Sequence, residues 1–132
     1  MKTHEPLCRA VDKPIAGLIR DLKQRGMLDS TLVVFGSEFG RSPWSQNTTG
    51  RDHNPKGYTV LLAGGGVKGG MVHGATDDVG YKAVDHPHYH SDLHATILHQ
   101  MGLDYRKMEF NVFGRTMRLV EEGQGPITEI LA

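Results

Sequence analysis

Residues 31–55 read TLVVFGSEFGRSPWSQNTTGRDHNP. Thr31 to Phe35 is β-branched and apolar without alternation, the pattern of a strand covered on both faces. The run stops at Gly36-Ser37 and meets an acid, Glu38. In open α/β sheets, ligands bind beyond the carboxyl ends of strands. A carboxylate fixed there suits catalysis or metal binding. The plainer alternative is a loop acid paired with Arg41. Residues 42 to 57 then read as one long loop, and loops of that length in a compact domain tend to be functional or disordered. Trp44 reads as its hydrophobic anchor. Arg51-Asp52-His53 lies toward its end. An aspartate beside a histidine offers two metal ligands, or a base with its orienter.

Upstream, residues 6 to 25 have the helical spacing of an amphipathic segment. Leu7, Val11, Ile15, Leu18 and Leu22 recur at intervals of three and four, which stacks them on one face. Pro14 marks either the true helix start or a kink. Arg25-Gly26 is a stop signal. A helix feeding an apolar strand is the repeating unit of a parallel α/β sheet, so an α/β fold is expected.

Downstream, Tyr58 to Ala63 is a second apolar strand. It ends on Gly64-Gly65-Gly66. This glycine stretch lacks the phosphate-loop pattern and reads as a turn. Met71 to Gly74 reads as a short strand and Thr76 to Val84 as an irregular connector. Asp85-His86-Pro87-His88-Tyr89-His90 is held extended by its proline. Ser91 or Asp92 caps a helix that runs to about Gln100 and is closed by Gly102. His90 and His94 lie four apart across that helix start, so both reach one ion. The competing reading is that Asp92 and His94 only organise the helix N-terminus. Residues 105 to 120 read as two short strands around a turn, 121–126 as a second turn, and Ile127 to Ala132 as an apolar tail that packs back.

The bulk properties narrow the classes. The chain has 132 residues, with fifteen basic and fifteen acidic side chains, so it has no electrostatic footprint for nucleic acid. A single cysteine, Cys8, excludes an internal disulfide framework. No apolar run approaches the ~20 residues of a membrane span. Met1 to Glu5 leads straight into the helical pattern, so no signal peptide is expected. Five of the eight histidines lie between His86 and His99, a density that invites a metal reading against one of solvation and chance.

Taken together, the segments 12–34, 36–43, 50–55 and 62–70 and Asp92-Leu93-His94-Ala95-Thr96-Ile97-Leu98-His99 resemble a large family of uncharacterised bacterial proteins. That family carries a domain of unknown function, is sometimes described as sulfatase-like, and is placed in the alkaline phosphatase superfamily. The resemblance covers nearly the whole chain but only the carboxy-terminal third or so of a family member. It implies a single partial domain over residues 1–132, the C-terminal portion of a doubly wound alkaline-phosphatase/sulfatase-like sheet. The missing N-terminal part of the same fold would then be a partner, and the parent protein would be a candidate for export to the periplasm.

The resemblance also implies chemistry. Superfamily members use one or two divalent metals to hydrolyse phosphate or sulfate esters. Glu38 and His53 correspond to metal-binding positions, with Zn, Mn or Ca as the expected ion. Asp52, His90, Asp92 and His94 are candidates for further ligands or for groups behind them. Arg41 and Arg51 are candidate forks for the anionic oxygens of a small-molecule or polysaccharide ester. Phe39 departs from the pattern, because a histidine is expected at that place. No nucleophile is identified, so this chain alone is expected to be inactive. The alternative is a non-catalytic binding module for an anionic polymer or other ligand.

Overall fold

A computed structural model describes residues 4–45, 50–120, 123 and 125–132. The first element, α1, spans His4–Gln24 and runs through Pro14 as one helix, so the proline is not its start. It closes as the basic-then-glycine signal requires. The Gly26 N–H donates to the Lys23 carbonyl and the Met27 N–H to that of Leu22, at 3.1 and 2.9 Å, the two bonds of a Schellman ending. None of its residues is buried, and Leu7 and Leu18 are 64% and 51% exposed. Of the apolar stripe, Leu7, Val11 and Leu18 are exposed, while Ile15 and Leu22 are half-buried.

A short 3-10 turn, Leu28–Ser30, leads into β1, Val33–Phe35. This strand pairs antiparallel with β4, Leu61–Ala63, with Val34 opposite Leu62. In the chain between them come two further strands, β2 at Gly40–Arg41 and β3 at His53–Asn54, which pair antiparallel as a separate sheet. β5, Ala75–Thr76, pairs with β6, Ala83–Asp85. β7, Glu109–Val112, pairs with β8, Arg115–Arg118, around a two-residue Phe113-Gly114 turn. The protein is thus mixed α/β, and all four of these sheets are two-stranded and antiparallel. The parallel neighbours expected for β1 do not occur among the described residues. Without them the apolar run is not covered on both faces, and Phe35 and Leu61 remain exposed.

Two further expectations are corrected. Residues 71–74 form no strand, and pairing begins at Ala75 instead. The connector at 76–84 is not irregular but supplies β6. A local turn explains both: Asp77 Oδ1 accepts the Tyr81 N–H at 2.7 Å, and the Asp77 N–H donates to the Lys82 carbonyl at 2.9 Å. The loop expected at 42–57 and the turn expected at 121–126 fall partly on residues 46–49 and on 121, 122 and 124, which lie outside the described residues.

The second helix, α2, spans His90–Gln100 and carries the tightest packing. Ala95, Thr96 and Asp92 are essentially inaccessible, and Ile127 and Ile130 of the tail are buried too. The tail does pack back. The Ile127 N–H donates to Thr96 Oγ1 at 2.9 Å, and the Lys68 N–H to the Ile130 carbonyl at 2.8 Å. Asp92 holds the helix start: its Oδ2 accepts the Tyr89 N–H at 2.8 Å. Neither Ser91 nor Asp92 is the cap residue; Tyr89 is.

The triple glycine forms the expected turn. All three glycines have positive φ, and a side chain at Gly64 would run into the carbonyls of Leu28 and Thr31. The Gly65 N–H donates to the Leu28 carbonyl at 3.0 Å, while Gln100 donates its side-chain amide to the Gly65 carbonyl. The turn therefore joins α2 to the entry of β1.

Candidate functional site

The β2–β3 pair builds the first site. Gly40 lies opposite Asn54, and Arg41 opposite His53. Glycine is needed at position 40, because a Cβ there would collide with the Gly57 carbonyl. That close approach lets the two ends of the long loop meet. It places His53 beside the segment that carries Glu38 and Phe39. The Phe39 and His53 rings stack with centroids 3.9 Å apart. The Arg41 guanidinium lies 5.3 Å from the Phe39 centroid. Arg41 Nη1 donates to the Arg51 carbonyl at 3.1 Å, and Arg51 in turn donates to the Pro43 carbonyl. The Asp52 carbonyl accepts the Ser42 N–H at 3.0 Å. Arg41 and His53 therefore lie against Phe39, while the Arg51 side chain reaches to the Pro43 carbonyl. Glu38 is an exposed residue two positions before β2.

Asn54, next to His53, is almost fully buried. It donates to the Tyr81 carbonyl at 2.6 Å and accepts the Lys56 N–H at 3.2 Å. Trp44 packs at 4.7 Å on the Tyr81 ring while staying half exposed, in keeping with an anchoring role. Tyr81 thus steadies the loop from both sides. The Asn-Pro signal at 54–55 points to a turn and conceals Asn54's role as a buried bridge.

The histidine-rich segment divides. His90 and His94 meet edge-on with centroids 6.0 Å apart, and both are exposed. Asp92 instead points inward and accepts backbone N–H groups, from Tyr89 on Oδ2 and from Gly125 on Oδ1 at 3.1 Å. The rings of His86 and His88 lie against that of His73, centroids 4.7 and 5.1 Å apart, and His73 is a residue that the sequence pattern does not single out. Glu129 feels the same trio electrostatically. Its carboxyl is held below the usual range first by a backbone N–H, then, against some burial, by the charges of His73, His88 and His86. Among the described residues, no three His, Cys, Asp or Glu side chains form a ready metal cluster. No helix among them is long and apolar enough to cross a membrane.

Fold and loop together define a mixed α/β domain with an arginine- and histidine-bearing loop beyond its first strand. The sequence model of a family described as "Protein of unknown function (DUF1501)" matches residues 1–131, and the chain belongs to that family. No match was found among curated proteins or solved structures.

Proposed function

We propose that the loop from Glu38 to His53 is part of a metal-dependent phosphate- or sulfate-ester hydrolase-like site of the alkaline phosphatase superfamily. On this reading the two-stranded β1–β4 sheet is one margin of a doubly wound sheet, since antiparallel edge strands on parallel sheets are common. The observation that carries the reading is the β2–β3 pairing, which sets His53 across from Arg41 and close to the Glu38 segment. A carboxylate oxygen and an imidazole nitrogen suit a divalent ion such as Zn or Mn, or Ca through the carboxylate. Two donors leave its shell incomplete, so further ligands must join them. Once bound, such an ion polarises a phosphoryl or sulfuryl oxygen. Arg41 and Arg51 each spend one N–H on a backbone carbonyl. A guanidinium has five such donors, so each keeps donors for the ester's anionic oxygens. The bond from Arg41 to the Arg51 carbonyl ties the two arginine-bearing segments together, and Arg41 lies against Phe39.

A second reading is favoured by that stack itself. Phe39 covers a face of His53 at 3.9 Å, which suits a non-catalytic surface for a sulfated or phosphorylated polymer. Calorimetric titration of the chain with Zn2+ and Mn2+ separates the two. The hydrolase-like reading expects binding that weakens at least about tenfold on Glu38→Ala or His53→Ala. Metal-independent polymer binding, lost on Arg41→Ala with no metal uptake at this loop, would replace it with the binding module. The chain by itself is expected not to turn over aryl phosphate or sulfate. Chelator-sensitive turnover would overturn that expectation.

A further inference from the structure

We propose that His73 and His88 form a second, separate metal site that takes Cu2+ or Ni2+ through their two Nε2 atoms. The two nitrogens face each other at 2.9 Å. Metal–imidazole bonds run roughly 2.0–2.1 Å. Two such bonds at about 90° put their nitrogens about 2.9 Å apart, whereas a tetrahedral angle puts them at roughly 3.3 Å. Right-angled coordination is what tetragonal Cu2+ and Ni2+ prefer, and imidazole is a suitable donor for both.

The surroundings fit a ligand pair. The second ring nitrogen of His88, Nδ1, lies 3.9 Å from Asp92 Oδ2, beyond hydrogen-bond length but close enough for the carboxylate's charge to favour a cation on the ring. Asp92 is itself fixed by the Tyr89 and Gly125 N–H groups. His86 packs on His73 with centroids 4.7 Å apart, and its backbone sits at φ 42°. That conformation is costly for a residue with a side chain, and it holds a third imidazole against the pair. His73 and His88 both line a cleft of about 470 Å3, which gives an ion entry and leaves coordination positions for water or an outside ligand. The competing explanation is a plain N–H···N hydrogen bond between the two rings.

The test is Cu2+ binding by the full chain, followed by calorimetry and by electron paramagnetic resonance. One ion is expected at this pair, in addition to any held by the Glu38–His53 loop, with a nitrogen superhyperfine pattern from at least two imidazoles. Affinity should fall at least about tenfold in His73→Asn and in His88→Asn, and hold in His90→Asn and His94→Asn. Equal affinity across all four variants would overturn the proposal. So would a spectrum of the unaltered chain with fewer than two nitrogen ligands, a readout that does not depend on how any variant folds.

Discussion

The Asp92 carboxylate and the Gly125 backbone are joined across 33 residues, with the Gly125 N–H donating to Oδ1 at 3.1 Å. The other carboxylate oxygen accepts the Tyr89 N–H at 2.8 Å. One buried acid thereby ties the start of α2 to the C-terminal tail. Hydrogen bonds to a charged acceptor contribute about 1.5–3 kcal/mol each, and a buried donor left unpaired costs more. Asp92→Ala is therefore expected to destabilise the chain by about 3 kcal/mol in urea unfolding. Asp92→Asn, which keeps one acceptor, should lose less. A loss under about 1 kcal/mol for Asp92→Ala would show that the tail is held otherwise.

Two glycines should respond in opposite directions. Gly64 has φ +72° and no room for a Cβ, so Gly64→Ala is expected to cost more than about 1 kcal/mol. Gly17 lies inside α1, and a methyl group added there would meet nothing within 4 Å. Gly17→Ala should stabilise by roughly 0.5–1 kcal/mol. Thermal unfolding of both variants checks the contrast, and a stabilised Gly64→Ala would contradict the turn geometry.

The outward face of α1 gives a third expectation. Leu18 is half exposed and the helix buries no residue. Leu18→Lys should change stability by no more than about 0.5 kcal/mol. A loss above about 1.5 kcal/mol would mean that this stripe packs on something in solution.

The helices are the most legible part of the chain, and the reason is physical. The 3.6-residue spacing of Leu7, Val11, Ile15, Leu18 and Leu22 specifies a helix whether or not its apolar face is covered. Strand partners are less legible. Thr31–Phe35 and Tyr58–Ala63 are both continuous apolar runs, and such runs do not encode whether neighbours lie parallel or antiparallel. Met71-Val72 has the apolar character of a strand, yet the Asp77–Tyr81 bond sets the hairpin three or four residues later. In the candidate site, the ring stack of Phe39 on His53 depends on the β2–β3 register, which two-residue strands scarcely record. His73 carries no signal in the sequence because it lies alone there. Only the fold brings it to His86 and His88.

Phe39 offers a direct manipulation of the proposed hydrolase-like site. It stacks on His53 where the family resemblance leads one to expect a ligand. Phe39→His is expected to raise Zn2+ affinity at this loop about tenfold or more by adding a nitrogen donor. Unchanged affinity, measured by calorimetry on a folded variant, would count against a metal position between Glu38 and His53.

The most direct measurement is an anomalous-scattering map from crystals of the chain soaked in Zn2+. The proposed site predicts a peak within about 2.5 Å of both a Glu38 carboxylate oxygen and a His53 ring nitrogen. Well-occupied Zn2+ elsewhere on the chain, with no peak between Glu38 and His53, would contradict it.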